Sequence, residues 1–240
     1  MKVPFVLLAS LCANSALTTA LPTDQASAEE AVLLLRNGTT KAIETKDIES
    51  HLNGIPIGEP ADNHQSFTSE GFSGLQKRGN AQFIIPLPDQ EFLGWDIAMS
   101  SIIHANERDA TVAIAAGQSI ANSVSVSASV SATVDKWLQF GVSTDYSQTT
   151  TNTLTGTATQ TIPKGKYGAF VSNPNTHRRS GYVFSGTPGN AQYEYFKADS
   201  FTPKKVSYQS AELNWVEGVI TTCLGDTYPL KMCNGDGVLK

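Results

Sequence analysis

The stretch SVSVSASVSAT, residues 123–133, has serine or threonine at every odd position, and SQTTTNTLTGTATQT, residues 147–161, repeats that pattern. Successive side chains of a β-strand point to opposite faces, so a two-residue repeat predicts a strand and does not fit the 3.6-residue period of a helix. Each stretch is therefore predicted to be a long strand with one hydroxyl-lined face. The opposite face is apolar in the first stretch, from Val124 to Val134, and mixed in the second.

The two stretches are predicted to pair as a long Ser/Thr-rich β-hairpin over residues 119–162. Asp135–Gly141 would join them, which places Trp137 and Leu138 at the tip. An amphipathic strand pair that ends in large apolar side chains is a candidate contact with a membrane or a partner. The alternative is a solvated strand face on which the hydroxyl residues serve only as strand formers.

Short runs of β-forming residues predict further strands, each bounded by glycine, proline or asparagine. They are Ala110–Ala116, Tyr167–Ser172, Gly181–Phe184, Tyr193–Phe196 and Leu213–Cys223. No convincing helical repeat interrupts them. The fold class is therefore predicted to be all-β, with an elongated antiparallel sheet or a sandwich.

The N-terminus has the layout of a secretory signal peptide over residues 1–20. Lys2 precedes the apolar run Val3–Cys12, and small residues ending at Ala20 follow. The run is shorter than the roughly 17–25 apolar residues that a membrane-spanning helix needs. The chain is therefore predicted to be secreted into the extracellular space.

Residues 21–78 have a different, acidic composition that ends at the dibasic pair Lys77-Arg78. Polar, glycine-rich backbone is where proteases cut. We therefore predict a propeptide over residues 21–78, cleavage after Arg78, and a mature all-β domain over residues 79–240. The alternative is a charged pair on a solvated linker.

Within the predicted propeptide, Ala31–Leu35 and Thr39–Ile43 flank Asn37-Gly38, a dipeptide typical of a tight β-hairpin turn. The sequence predicts a small hairpin at this place. Asn37-Gly38-Thr39 is also a glycosylation sequon, so Asn37 is a candidate glycan site.

Cysteine usage agrees with export. Cys12 would leave with the signal peptide, and the remaining pair, Cys223 and Cys233, is predicted to form a disulfide in an oxidising compartment. A zinc site is the alternative for two thiols, but the tail that holds them contains no histidine.

The charge of the predicted mature domain is close to neutral, since residues 79–240 hold 11 basic and 13 acidic side chains. Nucleic-acid binding usually requires a basic stripe, so no nucleic-acid partner is expected. The basic pairs Arg178-Arg179 and Lys204-Lys205 are predicted to be solvated surface charges.

Signals of catalysis are weak. The mature region contains two histidines, His104 and His177, and no Gly-x-Ser-x-Gly motif, phosphate-binding loop or histidine pair with metal-ligand spacing. We therefore predict that the protein is not an enzyme, with no cofactor, metal or catalytic residue. A spatial Ser-His-acid arrangement stays open, because sequence order does not exclude one.

Several further motifs carry a family resemblance: Phe92-Leu93-Gly94-Trp95-Asp96, IPKGKYG at residues 162–168, Arg179-Ser180-Gly181 and WVEGVI at residues 215–220. Together they resemble a family of small secreted fungal proteins described as effector-like. The resemblance spans most of the mature region. It implies an exported protein that acts on a host or a competitor, including delivery to the host, with no established enzymatic activity.

A looser similarity links the Ser/Thr-rich stretches and the Pro163-Lys164-Gly165 corner to aerolysin-type toxins. It implies an aerolysin-like architecture and a β-pore formed by insertion of residues 119–162. Each stretch exceeds the roughly 9–11 residues of a spanning strand. Against this alternative, Gln148, Asn152 and Gln160 would meet lipid, where burial of an unpaired amide is costly.

Overall fold

A computed structural model of the protein describes residues 30–35, 37, 39–61, 81–141, 144–187 and 190–239. The predicted signal peptide and the pair Lys77-Arg78 lie outside these ranges. The strands are β1 (Glu30–Leu34), β2 (Thr40–Glu44), β3 (Ala81–Pro86), β4 (Gln90–Leu93), β5 (Ile97–Ala98), β6 (Ile103–His104), β7 (Ala110–Ala113), β8 (Ser119–Ala121), β9 (Ser123–Ser125), β10 (Thr149–Thr151), β11 (Thr153–Thr155), β12 (Thr159–Ile162), β13 (Tyr167–Thr187), β14 (Asn190–Ser200), β15 (Pro203–Tyr208), β16 (Ala211–Val216), β17 (Gly218–Gly225), β18 (Leu230–Lys231) and β19 (Val238–Leu239). The helical segments are a 3-10 turn at Thr45–Asp47, α1 (Ile48–His51) and α2 (Ser131–Gly141). The predicted all-β class with antiparallel sheets is confirmed.

The long strand β13 organises the largest sheet, whose strand order is β2-β1-β17-β13-β14-β9. The short strands β3, β4, β5 and β6 also pair with β13. Gly218 stands opposite Pro174 in the β13–β17 register with φ at +150°. A Cβ there would lie 2.3 Å from the carbonyl oxygen of Asn173, so only glycine allows the two strands to approach this closely.

The main core draws side chains from this sheet and from the sheets β11-β16-β15 and β12-β7. Phe170, Leu213, Trp215 and Ile220 are all buried in it. The buried indole N–H of Trp215 donates to the hydroxyl of Ser172 at 2.8 Å, so the one polar atom of this ring is paired inside the core.

The predicted N-terminal hairpin is confirmed, and it belongs to the largest sheet. β1 pairs with β2 on one side, Ala31 standing opposite Ile43, and with β17 on the other. Ala31–Leu34 are buried as a continuous run. Consecutive apolar side chains suit a strand that is covered on both faces, and β1 is such a strand.

The predicted long Ser/Thr-rich hairpin is wrong over most of its length. The first stretch forms β9 and then turns into α2, and the second is divided into β10, β11 and β12. These three strands pair with β8, β16 and β7 respectively, so β8–β10 is the one ladder among the described residues that joins the two halves of 119–162.

The reason for the helix lies in the spacing of the apolar residues. Val130, Val134 and Leu138 recur every four residues, and this repeat places all three on one face of a helix. They pack with Val183 and Phe196 of β13 and β14. A strict alternation contains this four-residue repeat, so the pattern permits a helix as well as a strand.

The predicted hairpin tip is therefore corrected as well. Trp137 and Leu138 lie on α2, where Leu138 is buried and Trp137 meets the ring of Phe196 edge-on at 5.5 Å between centroids. The neighbouring Phe140, at 93% exposure, is the large apolar side chain that α2 presents to solvent.

The predicted disulfide between Cys223 and Cys233 is present. It fixes the C-terminal tail together with Asp96, whose carboxylate accepts hydrogen bonds from the backbone N–H groups of Cys233 and Asn234 at 2.7 and 3.0 Å. In the described part of the chain, no helix combines the length and the apolar character that crossing a membrane requires.

Candidate functional site

A polar cavity of about 500 Å³ opens where β13 and β14 meet the segment before β10. Its walls include Asp89, Glu91, Tyr146, His177, Arg179 and Ser200. A second cavity of about 300 Å³ adjoins it and holds the aromatic rings of Phe92 and Trp95. Arg178 and Phe201 line both cavities, and the two cavities together are the candidate site.

Three strands bring an acid, a histidine and a serine together in this site. In the ladder register, His177 of β13 stands opposite Glu91 of β4 and opposite Ser200 of β14. Nδ1 of His177 lies 3.8 Å from Oε1 of Glu91. The hydroxyl of Ser200, however, donates to the backbone carbonyl of His177 at 3.3 Å, so its proton is directed away from the imidazole that a nucleophilic serine would need.

Arg178 is a buried cation, with a side chain only 2% exposed. Its Nε and Nη2 donate to the two carboxylate oxygens of Asp199, each at 2.7 Å, and Nη1 lies 2.7 Å from Oε1 of Glu59. The hydrogen bond with Asp199, ahead of the one with Glu59, raises the pKa of Arg178 above its usual range. The guanidinium also covers the ring of Phe92 at 4.9 Å.

Arg179 is the next residue along β13, and its guanidinium contacts a different element. It lies over the ring of Trp137 at 4.2 Å, and its Nε is 3.6 Å from Asp89. Within the ranges that the structure describes, no hydrogen bond reaches Nε or Nη1 of Arg179. Burial raises the pKa of the nearby Tyr146 hydroxyl, which therefore stays protonated as a hydrogen-bond donor.

These contacts correct the prediction that Arg178-Arg179 is a solvated surface pair. Arg178 and Asp199 are equally distant in sequence from Pro188-Gly189, a dipeptide typical of turns. A hairpin centred there places the two residues opposite each other, as the register does. The equal spacing of the two residues from this turn dipeptide could therefore have predicted the pairing of Arg178 with Asp199. Nothing in the sequence indicated that Glu59, far upstream, would join them.

The other predicted site residues lie elsewhere. Asn37 is exposed beside β1, and its Oδ1 accepts hydrogen bonds from the N–H and hydroxyl of Thr39 at 3.0 and 2.7 Å. Trp137 reaches the cavity only indirectly, through its contact with Arg179. Glycosylation of Asn37 and cleavage after Arg78 stay predictions.

Comparison with known proteins adds no assignment: no protein-family model matches the chain, and no curated protein matches it. The resemblance to effector-like fungal proteins and the similarity to aerolysin-type toxins therefore stay predictions.

Proposed function

We propose that this chain is a secreted, non-enzymatic, effector-like protein that acts on the membranes of a host or a competitor by inserting a hairpin. The observation that carries the proposal is the register of β8 and β10, in which Ser119 stands opposite Thr151 and Ala121 opposite Thr149. Continued outward, this register centres the turn of a longer hairpin on Asp135.

In that extended hairpin the two faces separate by polarity. Val124 would stand opposite Tyr146, Val130 opposite Phe140 and Ala132 opposite Leu138, all on the even-numbered face. The odd-numbered face would carry the serines and threonines of the first stretch. A strand pair with an apolar face toward lipid and a hydroxyl face toward water is what a membrane-spanning sheet requires.

Gln148, Asn152 and Gln160 would meet lipid if the whole of residues 119–162 inserted. The β8–β10 register shortens the membrane-spanning part of the hairpin and leaves these amides outside it. Gln148 lies beside the β8–β10 ladder, and Asn152 and Gln160 lie beyond it. Asp135 and Lys136 fall at the turn of the extended hairpin, and Asp145, opposite Ser125, lies on the odd-numbered face toward water. Each strand outside the ladder retains about 12 residues, against the roughly 9–11 needed to span a bilayer.

In the folded chain the protein covers part of this apolar face, whereas Phe140 is exposed. Val124, Val126 and Val130 pack in the cluster that holds Val183 of β13 and Phe196 of β14. Insertion would exchange this protein surface for lipid. The exchange requires α2 to unwind, and a short helix held mainly by packing can do so.

The test is dye release from vesicles prepared from host lipid extract, with a matched pair of lysine substitutions. Val126→Lys places a charge on the predicted lipid face, which costs about 2–4 kcal/mol at the bilayer midplane. Ser125→Lys places the same charge on the water face. We expect wild type and Ser125→Lys to release dye and Val126→Lys to lose release. No release by wild type, or equal release by both variants, would contradict the proposal.

The polar and aromatic cavities favour a second candidate function, which is capture of a host or competitor protein without membrane insertion. Arginine and tryptophan are enriched where binding energy concentrates, and Arg179 and Trp95 line the adjoining cavities. We expect Arg179→Gln to weaken retention of a partner from host extract at least tenfold, with Lys231→Gln as the exposed control. Turnover of ester substrates that Ser200→Ala abolishes would instead indicate an enzyme.

A further inference from the structure

The described residues of 30–61 precede the predicted cleavage site but form part of the folded body. We propose that after cleavage at Arg78 this segment stays bound as a second, noncovalent chain, so that the processed protein is a two-chain complex. The proposal rests on the cleavage, and it is independent of membrane insertion and of capture by the cavities. Three sets of contacts support it.

The first set is the backbone ladder of β1. This strand lies between β2 and β17, with Val32 opposite Ile220 and Leu34 opposite Gly218. Two side-chain hydrogen bonds extend the attachment beyond the ladder. The amide of Gln160 donates to the backbone carbonyl of Glu30 at 3.1 Å, and the hydroxyl of Thr40 donates to the backbone carbonyl of Ser207 at 3.0 Å. None of these contacts depends on a covalent link through residue 78.

The second set is apolar and covers both faces of β1. Val32 and Leu34 belong to the main core, together with Trp215 and Ile220. Leu33 lies in a separate cluster with Leu93 and Val219, and the segment itself completes that cluster with Ala31, Ile43, Ile48 and Leu52. Loss of the segment would open the core and would leave β17 with unpaired backbone groups along that side, an arrangement that sheets avoid.

The third set fixes the C-terminal part of the segment. The N–H of Leu93 donates to the carbonyl of Pro56 at 2.9 Å, and the N–H of Gly58 donates to the carbonyl of Leu93 at 2.8 Å. Oε1 of Glu59 then lies 2.7 Å from Nη1 of Arg178 and 2.7 Å from Nζ of Lys197. Departure of Glu59 would remove a carboxylate from a buried guanidinium, which is unfavourable.

The three sets lie along the whole segment, from Glu30 to Glu59, so dissociation must break all of them. An isolated two-stranded hairpin is at best marginally stable in water, and the segment therefore has little structure to gain by leaving. The partner that we propose for the segment is the edge of β17 in the same protein, with which β1 pairs.

The experiment uses the full secreted chain, cleaved at Lys77-Arg78 by a dibasic-specific protease. A second version carries an unrelated protease site at the same place. Native mass spectrometry and gel filtration are compared with denaturing electrophoresis. We expect one native species that contains both fragments, which separate only in denaturant. Residues 79–240 found alone under native conditions would overturn the proposal. Resistance of the natural site alone would refute only the predicted processing, because the introduced site still tests retention.

A matched pair of variants identifies the contact surface. Leu33→Asp places a charge in the buried run of β1, whereas Lys41→Asp places it on the exposed residue opposite Leu33 in β2. In the cleaved protein we expect Leu33→Asp to release the segment at least tenfold faster than wild type and Lys41→Asp to retain it. If Leu33→Asp prevents folding, Glu59→Gln is the substitute. We expect this variant to release the segment faster than wild type, at a rate that does not depend on salt concentration. Release rates unaffected by either Leu33→Asp or Glu59→Gln would overturn the proposal.

Discussion

Two regions attach to the largest sheet in different ways: the β1–β2 hairpin supplies two of its strands, whereas residues 119–141 contact it through β9 and through the apolar side of α2. In β1 four consecutive apolar residues are buried on two faces, so the strand has one stable place. In residues 123–134 the apolar residues alternate with hydroxyl residues, so only one face of this stretch has to be covered. This alternation is compatible with the apolar face of helix α2 and also with an extended strand. We therefore infer that the β1–β2 hairpin keeps one conformation, whereas the second region can change from helix to strand.

The largest expected effect lies in the fixed region. Leu33→Ala removes a side chain that is 3% exposed and leaves a cavity between β1 and Val219. We expect a loss of about 2–5 kcal/mol in the free energy of unfolding. The measurement is the denaturant midpoint at unchanged slope. A change below about 0.5 kcal/mol, the size of an ordinary surface substitution, would show that β1 is not part of the cooperative fold.

The next effect distinguishes helix from turn at α2. Lys136→Pro removes a backbone hydrogen bond in the helix interior, and we expect about 3 kcal/mol of destabilisation in solution. In the extended hairpin the same residue lies at the turn, where proline is acceptable. The variant should therefore unfold at lower temperature and still release dye from vesicles. Lys136→Ala is the control, and a Lys136→Pro protein as stable as that control would argue against α2.

A smaller effect concerns the ion pairs of Glu59. The hydrogen bond with Lys197, ahead of the one with Arg178, lowers the pKa of Glu59 below its ordinary value of 4.5. A carboxyl with a lowered folded pKa stabilises the fold above its unfolded pKa and loses that contribution as the pH falls through the folded one.

At neutral pH we expect Glu59→Gln to cost about 1–2 kcal/mol, a modest value because Glu59 is partly exposed. The difference from wild type should shrink as the pH falls below 4.5, in unfolding curves recorded across that range. A difference that stays constant with pH would contradict a role for the ionised carboxylate.

The smallest effect lies on the hydroxyl face. Ser125 and Thr155 are exposed at the ends of β9 and β11. Ser125→Ala and Thr155→Ala should each change the free energy of unfolding by less than about 0.5 kcal/mol. Thermal unfolding of the two variants checks this. A loss above about 1 kcal/mol would mean that these hydroxyls stabilise the soluble fold, which the proposed conversion does not require.

Local signals in the sequence were sufficient for part of the fold. The all-β class followed from short runs between glycine and proline, the N-terminal hairpin from Asn37-Gly38 between apolar runs, and the disulfide from the even pair Cys223 and Cys233. In each case the deciding interaction lies within a few residues along the chain or has a single available partner.

Helix α2 and the charge cluster on Arg178 depended on long-range contacts that the sequence pattern does not reveal. Val130, Val134 and Leu138 satisfy a strand and a helix equally, and only the cover offered by β13 and β14 selects the helix. The charge cluster on Arg178 needs Glu59, whose distance along the chain gives no local pattern. Long-range packing, rather than propensity, decided both places.

Amide hydrogen exchange of the intact protein in solution tests the contrast between the fixed and the convertible region most directly. We predict that the amides of β1 exchange only with global unfolding, as slowly as those of β17. Residues 122–130 should exchange at least a hundredfold faster, through local opening. Exchange of β1 as fast as that of residues 122–130 would contradict the account.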